Sequence, residues 1–184
     1  MTNNTYTPTT ILQNIILFVA AIWAIFLVDQ LLPLSQMLGL RPRSLGGIPG
    51  IVAMPFLHGG WRHIISNTVP LVVLLTLLAG TRKNSLGIIV SISLLGGVLL
   101  WLLGRGANHI GASLLVFGLA AYLIVHGIKT KSFVNILLSL LVAFIYGTTL
   151  LTGVSPMQKG VSWDGHLFGA VAGGLVAWFY PHNK

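Results

Sequence analysis

Six apolar runs, at about 11–32, 62–80, 85–103, 110–128, 132–151 and 164–180, account for most of the chain. Each is close to the ~20 residues that cross a bilayer core. Amide groups in hydrocarbon must find partners within their own segment, so runs of this length specify helices. The expected fold is an all-α integral membrane protein, multi-pass, with six transmembrane helices in one bundle. Charge agrees with this: ten Lys and Arg face only two acids, Asp29 and Asp164, and give a net charge of +8. The cations sit singly or in pairs between the apolar runs, where they anchor helix ends at lipid headgroups. The bilayer is therefore the expected partner of this charge, and nucleic acid is not. Having no glutamate removes paired-carboxylate hydrolysis and acidic metal cages, and having no cysteine removes thiolate chemistry.

One domain is expected over 11–180, between a polar tail at 1–10 and a short C-terminal tail at 181–184. The N-terminal tail lacks the basic start and small-residue cleavage site of a removed signal peptide, so the first helix reads as a retained signal anchor. The segment 33–61 is broken by Pro33, Pro42, Pro49 and Pro55 and by several glycines, yet it is apolar from Ile48 to Leu57. Too broken to span and too apolar to float free, it is expected to lie at the interface or partly re-enter the bundle. Arg82 and Lys83 in one tight turn, and Lys129 and Lys131 in another, fall on the same side of a six-span chain. The positive-inside rule makes that side cytoplasmic, with both termini on it and the plasma membrane as the expected location. Trp61, Trp101 and Trp163 mark the opposite interface. Asp29 is expected there too, as an interfacial residue or a partner of Arg41 or Arg43.

Runs two, four and six start on that opposite face, which sets Asn67, Ser113 and His166 at similar depth. His166, Gly169 and Gly173 follow i, i+3, i+7 and share one helix face, with the two glycines permitting close helix packing. Ser113, Phe117 and Ala120 form a stripe on run four. Packing of these two faces brings serine and histidine together and lays Phe117 against the imidazole. His63 and Asn67, at i, i+4 on run two, offer an imidazole and an amide to one point, as an oxyanion site requires. Each residue also has a plainer reading. Serines in membrane helices commonly serve packing or bond back to their own helix; Phe117 alone reads as core; Gly169 and Gly173 are helix-packing residues whatever the function; and His58 reads as a hydrogen-bonded structural residue. The histidine spacing is not HExxH, so no metal and no cofactor is expected. Nor is the serine in a GxSxG elbow. Asp164 lies about 200° round the helix from His166, so a serine enzyme here would use a Ser-His dyad.

Three ordered motifs, HGGWRHIISN at 58–67, GASLLVFGL at 111–119 and GHLFGAVAGG at 165–174, resemble those of the rhomboid intramembrane serine proteases. The resemblance covers about residues 11–180. It implies Ser113 as nucleophile, His166 as general base, and His63, Asn67 and the Ser113 amide as the oxyanion site, with Phe117 packed on the base. It also implies a membrane-embedded first loop at 33–61 and a gate beside the fifth helix and the loop 152–163. The expected activity is endopeptidase cleavage of single-span membrane proteins within or near the transmembrane segment. The family usually has glycine directly after the nucleophile, where this chain has Leu114. That departure motivates the alternative, a catalytically inactive rhomboid-like protein that binds membrane clients.

Overall fold

The computed structural model describes residues 8–82, 84–157 and 160–180, so the tail at 181–184 and most of the tail at 1–10 lie outside the described residues. The described elements are α1 (Pro8–Asp29), α2 (Leu34–Leu38), α3 (Gly50–Ala53), α4 (Trp61–Thr81), α5 (Ser85–Leu103), α6 (Ser113–Thr130), α7 (Phe133–Gly153) and α8 (Trp163–Phe179). No strand occurs among the described residues. Five helices, α1, α4, α5, α6 and α7, are long and apolar enough to cross a membrane. The sixth of the expected spans, α8, has 17 residues, at the lower limit for crossing. Asp164 and His166 near its start dilute its hydropathy. Helix α1 starts at Pro8 and so takes up the last residues of the expected polar tail.

The bundle is arranged around α6, which touches α4, α5, α7 and α8. Its closest partner is α8. A Cβ at Gly169 would fall on the Leu114 carbonyl, and one at Gly173 on the Gly118 carbonyl. The two backbones therefore meet directly, a contact only glycine permits. Helix α1 presents Ile15, Ile22 and Phe26, a narrow buried stripe, to α4 and the Met54–Phe56 turn. The rest of α1 is largely exposed, as a lipid-facing helix should be.

The segment 33–61 is a chain of short helical turns attached to the outer ends of α5 and α6. Leu40 and His109 exchange backbone hydrogen bonds of 3.0 and 2.8 Å. The Arg43 guanidinium donates to the Gly104 carbonyl at 2.6 Å, and the Trp101 indole to Ser44 O at 3.0 Å. Ile51 packs against Gly97 of α5. Leu40, Met54 and Leu57 are buried, so the segment's apolar residues join the protein interior. Asp29 departs from one of its two expected roles, that of a partner to Arg41 or Arg43. Its carboxylate accepts from the Ser35 amide at 2.8 Å and from the Ser35 hydroxyl, while Arg41 donates to the Gln36 carbonyl. The α1–α2 turn brings Ser35 within reach first, so neither Arg41 nor Arg43 is its partner.

Candidate active site

Ser113 is the first residue of α6 and is partly exposed. The preceding residues form a tight loop held from two sides. Gly111 has φ +111°, which disfavours any side chain, and a Cβ there would lie 2.5 Å from His63 Nε2. Its amide donates to Met54 O at 3.0 Å. Ala112, at the N-cap, supplies no capping side chain. The first amides of α6 are left without intrahelical acceptors, and the helix dipole adds partial positive charge where Ser113 begins.

His166 lies one turn into α8 and is buried. Its ring stacks on Phe117, with centroids 4.0 Å apart and planes 8° from parallel. Nδ1 lies 2.9 Å from the Gly153 carbonyl at the end of α7. A carbonyl can only accept, so Nδ1 carries the proton and Nε2 is left with its lone pair free. Gly153 is tightly enclosed by these groups: a Cβ there would strike the Phe117 ring and stand 3.2 Å from His166 Nδ1.

Helix α4 delivers the histidine side of the loop. The His63 ring lies edge-on to His58 with centroids 5.0 Å apart, and His58 Nε2 accepts from the Ala112 amide at 3.4 Å. Burial, with the His63 imidazole adding to it, pushes the His58 ring down to about 4, so it remains the neutral acceptor this contact needs. Asn67 is buried on the same helix, and its Nδ2 donates to His63 O at 2.9 Å. One of its two N–H groups is thus used within the helix, which leaves the other for a different acceptor.

Neither acid is hydrogen-bonded to His166. Asp164 Oδ2 accepts from the Arg105 amide at 2.9 Å and stands 3.7 Å from His109 Nε2. The Arg105 guanidinium lies 3.5 Å from its other oxygen. His109 Nδ1 is 2.7 Å from the Ser162 hydroxyl. This network ties the start of α8 to the loop before Ser113, while His166 Nδ1 is held by a backbone carbonyl.

Leu114 is fully buried among Leu40, Met54 and Leu100. Its side chain points to α5, where a Cβ at Gly96 would come within 2.8 Å of Leu114 Cδ2. The bulk after the serine is therefore accommodated by a missing side chain on the neighbouring helix. Gly153, Gly96 and the acceptor role of His58 on Ala112 are the features that sequence reasoning did not assign. A backbone carbonyl has no sequence signature, and Gly96 acquires meaning only once α5 is seen opposite Leu114. Among the described residues, no group of three or more His, Asp or Glu side chains is placed to hold a metal ion.

With this geometry established, the chain can be set beside known proteins. A family model described as the Rhomboid domain matches residues 46–183. Rv1337 of Mycobacterium tuberculosis strain H37Rv, an uncharacterized protein, is 38% identical over 184 residues, covering 93% of this chain and 76% of the relative. The uncharacterized protein Mb1372 of Mycobacterium bovis is similar to the same extent. ML1171 of Mycobacterium leprae, also uncharacterized, is 36% identical over 185 residues, covering 93% of this chain and 72% of its own.

Proposed function

This chain belongs to the rhomboid family and is an integral membrane protein, and on that premise we propose that it is an intramembrane serine endopeptidase working through a Ser113–His166 dyad. Ser113 attacks a substrate peptide carbonyl as its proton passes to His166 Nε2. The same proton then goes to the leaving amine, and water hydrolyses the acyl-enzyme. Negative charge on the tetrahedral oxygen falls to the Ser113 amide, His63 and the second N–H of Asn67. Phe117 holds the imidazole plane through this cycle, and Gly169 and Gly173 let α8 come close enough to deliver it. A recess of about 340 Å³, lined by polar Asp29, Gln30, Ser35, Gln36 and His58 together with Leu31, Leu32, Pro33 and Gly59, includes the histidine bonded to the Ala112 amide and would suit the supply of hydrolytic water.

The observation that carries this reading is the His166 ring, held at Nδ1 by Gly153 and stacked on Phe117, one turn along the uncapped helix that begins at Ser113. Substrates are single-span membrane proteins, which reach the dyad from the bilayer. The protein sits in the plasma membrane with both termini cytoplasmic, because the α4–α5 and α6–α7 turns concentrate cations. Leu114 motivates the client-binding alternative, and its packing against Gly96 supports the enzymatic reading over it.

Purified protein in liposomes with single-span reporters provides the test. Cleavage is expected in wild type, with new termini inside or next to the transmembrane segment. Ser113→Ala and His166→Ala should each lose at least about 10³-fold in rate, with folding retained. Wild-type rates in both folded variants would exclude the dyad.

A further inference from the structure

Helix α7 is held unevenly. Its buried residues are Ser139, Val142 and Gly153. Near the end remote from the serine, the Ser139 hydroxyl donates to Ile124 O at 2.6 Å and Asn135 Nδ2 to Thr130 Oγ1 at 3.1 Å. Gly127 of α6 lies directly under this contact: a Cβ there would be 2.6 Å from Ser139 Cβ. Beyond Val142 the helix is loosely seated, with only Tyr146, Leu150 and Val154 partly buried against the core. At the far end Gly153 is packed on Phe117 and His166. A helix pinned at one end and seated by a glycine at the other can swing about the pinned end.

We propose that Gly153 is a positioning residue whose carbonyl sets the tautomer of the base, so that His166 is competent only while the outer end of α7 is seated on it. This deepens the dyad reading and rests on it. A neutral imidazole carries one proton on either of two nitrogens, and the acceptor at Nδ1 selects which. With Gly153 in place, Nε2 can receive the serine proton. When the outer end of α7 moves away, Nδ1 loses its acceptor and the tautomers approach their intrinsic mixture, which leaves part of the population with Nε2 already protonated. Opening the bundle along α7 and arming the base are thus mutually exclusive states of one helix. A peptide admitted past α7 is cut only after the helix has returned.

Ring 15N spectra of histidine-labelled protein in nanodiscs report the tautomer without requiring activity, with His166 assigned by difference against His166→Gln. Wild type is expected to show His166 as the Nδ1–H form. In Gly153→Ala the added methyl lifts α7 from Phe117 and His166, and the signal should move toward a mixture. Reporter kcat should fall roughly two- to tenfold, the worth of one hydrogen bond, with KM nearly unchanged. Gly147→Ala adds the same methyl to α7 where no atom lies within 4 Å and should leave both the tautomer and kcat near wild type. If Gly153→Ala folds poorly, Leu150→Ala with Val154→Ala trims the outer seat without adding bulk and should shift the tautomer in the same direction. An Nδ1–H signal unchanged in the folded outer-end variants, or a shift in Gly147→Ala as large as theirs, would overturn the proposal. A wild type that shows the Nδ1–H form without cleaving any reporter would refute the dyad while supporting this role for Gly153.

Discussion

Helix α8 carries His166 and α7 bonds to it, and the two helices are held in opposite ways. Helix α8 carries His166 on a face whose glycines lie on the α6 backbone at Leu114 and Gly118. Helix α7 supplies only a carbonyl to His166, from a helix whose membrane-length window is 11% buried against 61% for α6. Backbone-to-backbone packing has no side chain to rearrange, so it fixes position within tenths of an ångström; a few partly buried apolar side chains do not. Ser113 and His166 thus sit on the tightly packed pair, while the carbonyl bonded to His166 sits on the more loosely packed partner. The proposed entry of a substrate from the bilayer would draw on both properties at once.

The sharpest way to break the comparison is to add bulk to each partner. Gly173→Val, on the rigid pair, should cost about 3 kcal/mol or more, because the Gly118 carbonyl cannot move aside. Thermal unfolding in detergent should show a large drop in Tm. Gly147→Val on α7 meets no atom within 4 Å and should leave Tm almost unchanged. Equal losses in the two variants would contradict the contrast.

Leu114 offers a second, smaller test on the rigid side. Leu114→Gly restores the residue usual in the family but opens a cavity against Gly96, Leu100 and Met54. Stability should fall by about 2–4 kcal/mol, with no gain in reporter kcat at a temperature where the variant is folded. A marked gain in kcat would mean that the leucine does obstruct the oxyanion region.

The smallest effect concerns acidification. The folded His58 ring titrates near 4, against 6.5 for the ordinary group, so between these values the unfolded chain binds a proton that the folded protein refuses. Stability should therefore decline as pH falls from 6.5 through 4, with no further loss from this residue below that. His58→Gln keeps a neutral acceptor for Ala112 and should flatten the decline, as read by Tm across that range. An unchanged slope would remove His58 from the account.

Much of this architecture could be read from residues. Apolar runs of bilayer length located the long helices, with α5 placed at its observed limits, because length and hydropathy are set by the membrane more than by tertiary detail. The spacing of Gly169 and Gly173 pointed to the face that meets α6, since close approach demands small residues. Other features depended on geometry that a sequence does not carry. Ser35 takes Asp29 from the arginines because a turn closes there. Gly153 matters through its carbonyl, which every residue has, and through the absence of a side chain that would push Phe117 aside. The direction of Leu114 followed from the rotation of α6 about its axis, which becomes fixed only when α5 and α8 are both in place.

The central claim is that Ser113 is an activated nucleophile, and covalent trapping tests it without any knowledge of the substrate. Wild-type protein in liposomes, treated with a fluorophosphonate and digested for mass spectrometry, is expected to carry one phosphonyl group, on Ser113. His166→Ala should label far more slowly and Ser113→Ala should show no adduct. Folded wild-type protein that remains unlabelled, or that carries the adduct on another residue, would contradict the account.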